Sequence, residues 1–268
     1  MGGEIFRLKN GDFQEKERFR QIQSTFRSLT GRGLDVRARP ADDGEPALVI
    51  EPTITGQHSE RPVELAGAGV QEALVLSTLL HGAPGRITVL DEPAVYLEPT
   101  VQRRLLRQVR GPGQYLVITH SADLVPFDEP DDLKRIVRLA PDASGTQIRQ
   151  PNHGHASSAE QSRQLQLMQP GEIRSLLFAQ AAVLCEGQTE AGALPRWWYN
   201  ARAAGLPDLA TTNVSFVGVD GHNGYGAYIR FLDAYGIPWA IVSDGPALRK
   251  GQKLSQEMKK LGHWPDPP

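Results

Sequence analysis

The segment Ile87-Thr88-Val89-Leu90-Asp91-Glu92-Pro93 is an apolar run that ends in two adjacent carboxylates and a proline. Ligands of open α/β sheets sit beyond the carboxyl ends of the strands, so Asp91 could hold Mg²⁺ there through water. Glu92 could orient or deprotonate an attacking water. A string this short specifies little alone, and three other stretches add to it. Glu64-Leu65-Ala66-Gly67-Ala68-Gly69-Val70-Gln71 is a Gly-rich turn opening a helix, where outward N–H groups suit a phosphate. Tyr96-Leu97-Glu98-Pro99 begins the next helix. Tyr115-Leu116-Val117-Ile118-Thr119 is a second apolar strand that ends in His120-Ser121, and a His there can reach a γ-phosphate or its attacking water. Taken singly, Gly67 and Gly69 are a plain turn and His120 is an ordinary satisfied histidine. The sequence contains no phosphate loop of the Gly-Lys-Ser/Thr type, because none of its lysines follows a glycine.

A second constellation is acidic. Ala181-Ala182-Val183-Leu184-Cys185 leads into Glu186-Gly187-Gln188-Thr189-Glu190, and Trp239-Ala240-Ile241-Val242 leads into Ser243-Asp244-Gly245. In a parallel sheet these strand tips share one edge. Carboxylates gathered there repel unless a cation is present, and all-oxygen sites suit Mg²⁺ or Mn²⁺. One such metal can polarise a phosphodiester and a second can activate water. The plain alternatives are a helix start that favours acids for Glu186 and Glu190 and a turn before glycine for Asp244. Asp220 ends another strand and reads better as a solvated turn. Cys185 reads as a buried strand residue.

The elements that would position these groups alternate. Asp12 caps a helix over 13–29 with Phe19, Ile22, Phe26 and Leu29 on one face. Strands at 34–38 and 47–54 pair through the turn Asp42-Asp43-Gly44. A helix at 70–81, a buried strand at 86–91, a helix at 99–109 and a strand at 114–119 imply a parallel sheet. Strands at 135–139 and 147–149 form an edge hairpin around Asp142-Ala143-Ser144-Gly145. Residues 151–163 are polar, and His153 and His155 there read as linker and not as metal ligands. Strands at 181–185, 214–219 and 238–243 then alternate with helices at 189–203, 224–235 and 252–261.

Composition sets outer limits. The 268 residues carry a net charge of −2, with 40% hydrophobic and 22% charged residues, as in ordinary globular chains. Nucleic-acid binding would therefore need local basic patches. Arg103, Arg104, Arg107 and Arg110 on one helix, and Lys250, Lys253, Lys259 and Lys260 after Asp244, are such groups, ordinarily solvated. A phosphate-binding role gains weight for the lysines beside an acidic site. A single cysteine excludes an intrachain disulfide and fits a reducing compartment. No apolar run approaches the ~18 residues that span a bilayer, and the expected location is cytoplasmic, without membrane contact.

In this order, Gly67 to Gln71, Asp91-Glu92, Leu97 to Pro99 and His120 resemble the signature motif, Walker B pair, D-loop and switch histidine of ABC-type ATPases of the RecF and OLD groups. The resemblance spans residues 13–140 and concerns the C-terminal part of such an ATPase. It implies that Gly67, Gly69, Gln71 and Asp91 face nucleotide held by another subunit, with Glu92 and His120 serving hydrolysis. ATP enters only with a P-loop supplied in trans. Glu186 and Asp244 are similar to the glutamate and the first Asp of the Asp-x-Asp motif of Toprim domains, and Glu186-Gly187-Gln188-Thr189-Glu190 is most like the OLD family. The Gabija nuclease subunit has the same arrangement. Pro246 stands where the second Asp would be, and the chain ends soon after.

The resemblance implies an α/β protein: an ABC-type ATPase part with a mixed sheet over residues 1–150, a linker and connecting helix over 151–178, and a parallel Toprim-like domain over 179–268, incomplete at its end. It implies an upstream part carrying Walker A, lost or separately encoded. The expected function is an Mg²⁺- or Mn²⁺-dependent DNA endonuclease of phage defence or repair, with Glu186, Glu190 and Asp244 as metal ligands and Glu186 as ligand or base. Expected partners are DNA and either a second copy or a Walker A-containing chain. The alternatives are a non-catalytic chain that pairs with a complete subunit, and a RecF-type repair ATPase without nuclease activity.

Overall fold

Helix formation near the N-terminus follows directly from the side chains. In the computed structural model, Asp12 accepts a hydrogen bond from the Glu15 N–H, and Glu15 reaches back to the Asp12 N–H. This capping box satisfies two of the N–H groups that a helix start leaves open. It opens α2 (Phe13–Thr30), which Gly31 closes in the left-handed region at φ 70°. Phe19, Ile22, Phe26 and Leu29 are buried on one face of α2. Each such side chain contributes roughly 1.5–3 kcal/mol by leaving water. A short helix that the sequence reading missed, α1 (Gly2–Asn10), buries Ile5 and Leu8 in the same core. Lys9 ties it down by donating to Asp35 Oδ1 (2.6 Å) and to the Val36 carbonyl (2.9 Å).

The structure describes residues 1–40, 48–56, 60–82, 85–111, 113–142, 145–151, 170–201, 205, 207–221, 224–245, 249 and 252–263. The turn at Asp42-Asp43-Gly44, the linker histidines His153 and His155, Pro246 and Lys250 lie outside them. Two compact units are present, Met1–Leu124 and Val125–Pro268.

In the first unit, β1 (Gly33–Pro40), β2 (Leu48–Thr55) and β3 (Glu60–Pro62) form an antiparallel sheet in that order. The chain continues through α3 (Ala68–Leu80), β4 (Ile87–Asp91), α4 (Pro99–Val109) and β5 (Gln114–Ile118). β4 and β5 pair in parallel, Ile87 opposite Gln114 and Asp91 opposite Ile118. Both strand directions expected for this part are thus present, but in two separate sheets. One expectation is corrected here. The apolar run of β4 reads as a strand buried on both faces, yet only Leu90 reaches the core. Ile87 and Val89 are 67% and 54% exposed, and Leu116 and Ile118 beside them on β5 are 54% and 45% exposed. The parallel pair has a covered face and, among the described residues, an open apolar one.

In the second unit, β8 (Ala181–Cys185) lies between β10 (Trp239–Val242) and β9 (Val214–Gly218), all parallel. The helices are α5 (Pro170–Leu176), α6 (Gln188–Ala201), α7 (Leu209–Thr212), α8 (Tyr225–Ala234) and α9 (Lys253–Lys260). α8 and α5 bury Tyr225, Tyr228, Ile229, Leu232, Ile173 and Leu176 in the core of this unit. The hairpin β6 (Arg138–Asp142) and β7 (Gly145–Arg149) is a sheet of its own and not an edge of a larger one. It also belongs to the second unit, whereas the sequence reading placed residues up to 150 with the first. The physical tie is Arg138, whose guanidinium donates to the carbonyls of Leu177 (2.9 Å), Ala179 (3.0 Å) and Tyr235 (3.3 Å).

Candidate functional site

The first constellation gathers at the carboxyl ends of β4 and β5. Parallel pairing carries Asp91 and Ile118 to the same edge, and the Glu92 N–H donates to the Ile118 carbonyl at 2.8 Å. Glu92 then takes φ 46°, in the left-handed region that a non-glycine residue rarely occupies. Such strain persists where surrounding contacts over-determine it. Here Glu92 Oε1 lies 2.8 Å from His120 Nδ1, while Oε2 accepts from the His120 N–H (3.4 Å) and the Thr119 hydroxyl (3.5 Å). The His120 side chain is 82% exposed and that of Glu92 is 33% exposed. A histidine held by its Nδ1 against a carboxylate leaves Nε2 facing outward.

Gly67 is the N-cap of α3, and the backbone of the Tyr96 loop lies against Gly69: a Cβ on Gly69 would stand 2.6 Å from the Tyr96 carbonyl oxygen. The glycine is therefore required for close approach of turn and loop. Gln71 folds back and donates to the carbonyls of Glu64 and Ala66, both at 3.0 Å. Two residues that the sequence reading missed hold this region together. Glu72 accepts from the Tyr96 N–H at 3.1 Å, and burial pushes its carboxyl above the usual range against that hydrogen bond. Gln102 is buried, donates to the carbonyls of Ala94 and Leu97, and accepts from the Ser121 hydroxyl. A polar residue on the apolar stripe of α4 was the available signal.

The acidic constellation forms at the tips of the central sheet of the second unit. Glu186 follows β8, the middle strand, so the tips of β9 and β10 flank it. Glu186 Oε2 accepts from the Ser243 hydroxyl (3.0 Å) and the Asp244 N–H (3.3 Å), and its carbonyl accepts from the Gly221 N–H (2.9 Å). Glu186 and Asp244 are therefore brought together, as their positions predict. Asp220 stands at the same edge with φ 50°, before Gly221 at φ 95°. Glu190 turns back to accept from the Gly187 N–H at 3.1 Å, the carboxylate half of a capping box at the start of α6. Its helix-start reading is thus the one the geometry displays. Among the described residues no three His, Cys, Asp or Glu side chains gather closely enough to hold a metal by themselves.

Under this tip lie side chains with no sequence signal. Tyr225 is fully buried and its hydroxyl donates to the Val242 carbonyl at 3.1 Å. Burial pushes that hydroxyl up to about 12, opposed by a hydrogen bond with Ser243 and aided by Glu186, Cys185 and Glu190. Burial, then the Glu190 carboxylate, push the Cys185 thiol up to about 11, so it is a packed strand residue and not a nucleophile. Ser243 was legible as a hydroxyl beside Asp244, but its bond to Glu186 was not.

Residues 177–245 match the family model described as Overcoming lysogenization defect protein-like, TOPRIM domain. The matched stretch includes Glu186, Glu190, Asp220 and Asp244. Toprim-like is thus the description of this segment. Three solved structures are similar in fold at 13% identity each. One is described as "Structural biochemistry of ATP-driven dimerization and DNA stimulated activation of SMC ATPases" (TM-score 0.39, covering 56% of this chain and 90% of that one). Another is an SmcHead bound to the C-winged helix domain of ScpA (TM-score 0.42, 56% and 49%). The third is an Smc head domain with an extended coiled coil bound to the C-terminal domain of ScpA, derived from Pyrococcus furiosus (TM-score 0.41, 57% and 38%). The chain thus spans less than half of the last two, and the likeness is too distant to assign residues. No curated protein sequence matches the chain. Among the described residues no helix is long and apolar enough to cross a membrane.

Proposed function

We propose that the Toprim-like segment cuts a DNA phosphodiester with the help of Mg²⁺ or Mn²⁺. The observation that carries this reading is Glu186, at the tip of the middle strand and clamped by Ser243 and the Asp244 N–H. The donor chemistry fits a hard cation. Mg²⁺ commonly takes one or two carboxylates and completes its shell with water and substrate phosphate, so a three-residue cage is not required. Glu186 and Asp244 would hold it, joined by Glu190 when that side chain leaves its helix cap. When bound, the cation supplies polarisation of the phosphoryl oxygen and a more acidic water. The chain's own part is to hold the Glu186 carboxylate in one orientation, through Ser243 and the Asp244 N–H, so that it ligates or accepts a proton. Plasmid nicking in Mg²⁺ or Mn²⁺ tests this: Glu186→Ala is expected to abolish it, and equal nicking by both proteins overturns the reading.

The first unit is read as half of an ATP site, completed by a chain that carries a phosphate loop. Gly67, Gly69 and Gln71 would face the nucleotide, Asp91 its Mg²⁺, and Glu92 with His120 the attacking water. The Glu92–His120 pair and the open face of β4–β5 support it. The biological setting that this combination suits is phage defence or DNA repair.

A second reading is a chain that binds a complete subunit and does no chemistry. Glu190 in its helix cap and Gln71 folded onto its own turn favour it. Calorimetry showing no Mn²⁺ binding, with stable association to a Walker A-containing chain, would establish it in place of the nuclease.

A further inference from the structure

Helix α6 starts at the Glu186 tip and buries none of its residues fully. Trp198 anchors it: its indole N–H donates to the Pro207 carbonyl at 2.8 Å, and its ring meets Phe216 edge to face. The neighbouring Trp197 does the opposite and is 64% exposed. Its ring offers a large, rigid and accessible apolar face at this place. Its position is informative. Trp197 follows Glu190 by seven residues, within about 20° of two full turns, so the two share one stripe of the helix. Pro195 removes one ladder hydrogen bond between them, yet the helix is continuous from Gln188 to Ala201. Along the axis the separation is about 10 Å, short enough for one nucleic-acid strand to span. Arg196, also exposed, is in no hydrogen bond or ion pair among the described residues and adds a cation to the flank of the stripe.

We infer that Trp197 is a stacking platform for a base of a single-stranded or locally unpaired DNA strand that leads away from the Glu186–Asp244 tip, with Arg196 beside the strand's phosphates. The inference rests on reading that tip as a phosphodiester-cutting site. The occupant follows from continuity and charge. A strand held at the tip must continue past it, the stripe leads outward from it, and an aromatic face next to a cation is the pairing that accepts any base and its phosphate.

Fluorescence anisotropy of a fluorescein-labelled oligothymidylate of about twelve nucleotides tests it. The full chain is titrated in EDTA, so no cleavage intrudes. Trp197→Ala is expected to weaken binding about tenfold and Trp197→Phe to restore most of it. Arg196→Ala should weaken binding and lower the salt slope by about one. Because Trp197 is exposed, the Ala variant keeps the wild-type urea midpoint. Unchanged affinity in Trp197→Ala overturns the inference, as does absence of binding by the wild type or a Phe variant as weak as Ala. Loss of self-association in Trp197→Ala with oligonucleotide affinity unchanged assigns the ring to a second copy and overturns it too. Failure to nick plasmid overturns the nuclease reading separately, since binding is measured without metal.

Discussion

Ser243 contributes a single hydroxyl, and that hydroxyl holds the one carboxylate on which the nuclease reading depends. Its bond to Glu186 is charge-assisted, a class that contributes about 1.5–3 kcal/mol. Ser243→Ala should therefore lower plasmid nicking about tenfold or more, in kcat and not in KM, because the carboxylate loses orientation and not its charge. Ser243→Thr keeps a hydroxyl at the same place and should recover part of the loss. Nicking by Ser243→Ala at the wild-type rate would show that the Asp244 N–H alone positions Glu186.

Two elements depend on groups whose environment is set by packing. The His81 ring sits at the end of α3, where its Nε2 lies 2.7 Å from the Thr25 hydroxyl, and Arg18 donates to the His81 carbonyl. Burial, then the Arg18 charge, hold its pKa below the usual histidine value of 6.5. The unfolded chain thus binds the proton more readily than the folded one. The contribution of this site is complete above about pH 6.5 and is lost as the pH falls towards the lower, folded value. Between about pH 7.5 and about pH 5.5 the urea midpoint should fall, and His81→Gln should flatten that slope. Glu72 and Glu172, both raised by burial, work in the opposite sense nearer the carboxylate range. The β6–β7 hairpin is fastened by Arg138, and Arg138→Met removes three donors from three carbonyls. A loss of about 2–4 kcal/mol is expected in the unfolding of the second unit, measured by urea denaturation followed through tryptophan fluorescence.

At the scale of the whole molecule, the open face of β4–β5 is the feature that most needs a partner. Parallel sheets are almost always covered on both faces, and Ile87, Val89, Leu116 and Ile118 form one contiguous apolar surface on adjacent strands. If a phosphate-loop chain or a second copy covers it, Val89→Asp should abolish that association in light scattering while shifting stability within about 0.5 kcal/mol, as surface changes do. Association that survives Val89→Asp would place the partner elsewhere.

The sequence by itself determined the order of the main strands and helices, though not of the short elements at 2–10, 60–62 and 209–212, and it marked both sets of strand-tip residues. Apolar periodicity marks α2 through Phe19, Ile22, Phe26 and Leu29, and a run of alternating strands and helices implies parallel pairing, which alone carries Glu186 and Asp244 to one edge. These are local properties, fixed by which side chains leave water and which backbone turns a glycine permits. The helix over Gly2–Asn10 escaped because its three apolar residues, Ile5, Phe6 and Leu8, are too few to mark a repeating face, and the place of the hairpin was not legible because Arg138 finds its carbonyls about forty and a hundred residues away. Tertiary structure decided what two of the site carboxylates do: Glu186 held by Ser243, Glu92 joined to His120. It also decided that the apolar face of β4 stays open. Such outcomes depend on contacts between residues distant in the chain, and no spacing within the sequence encodes them.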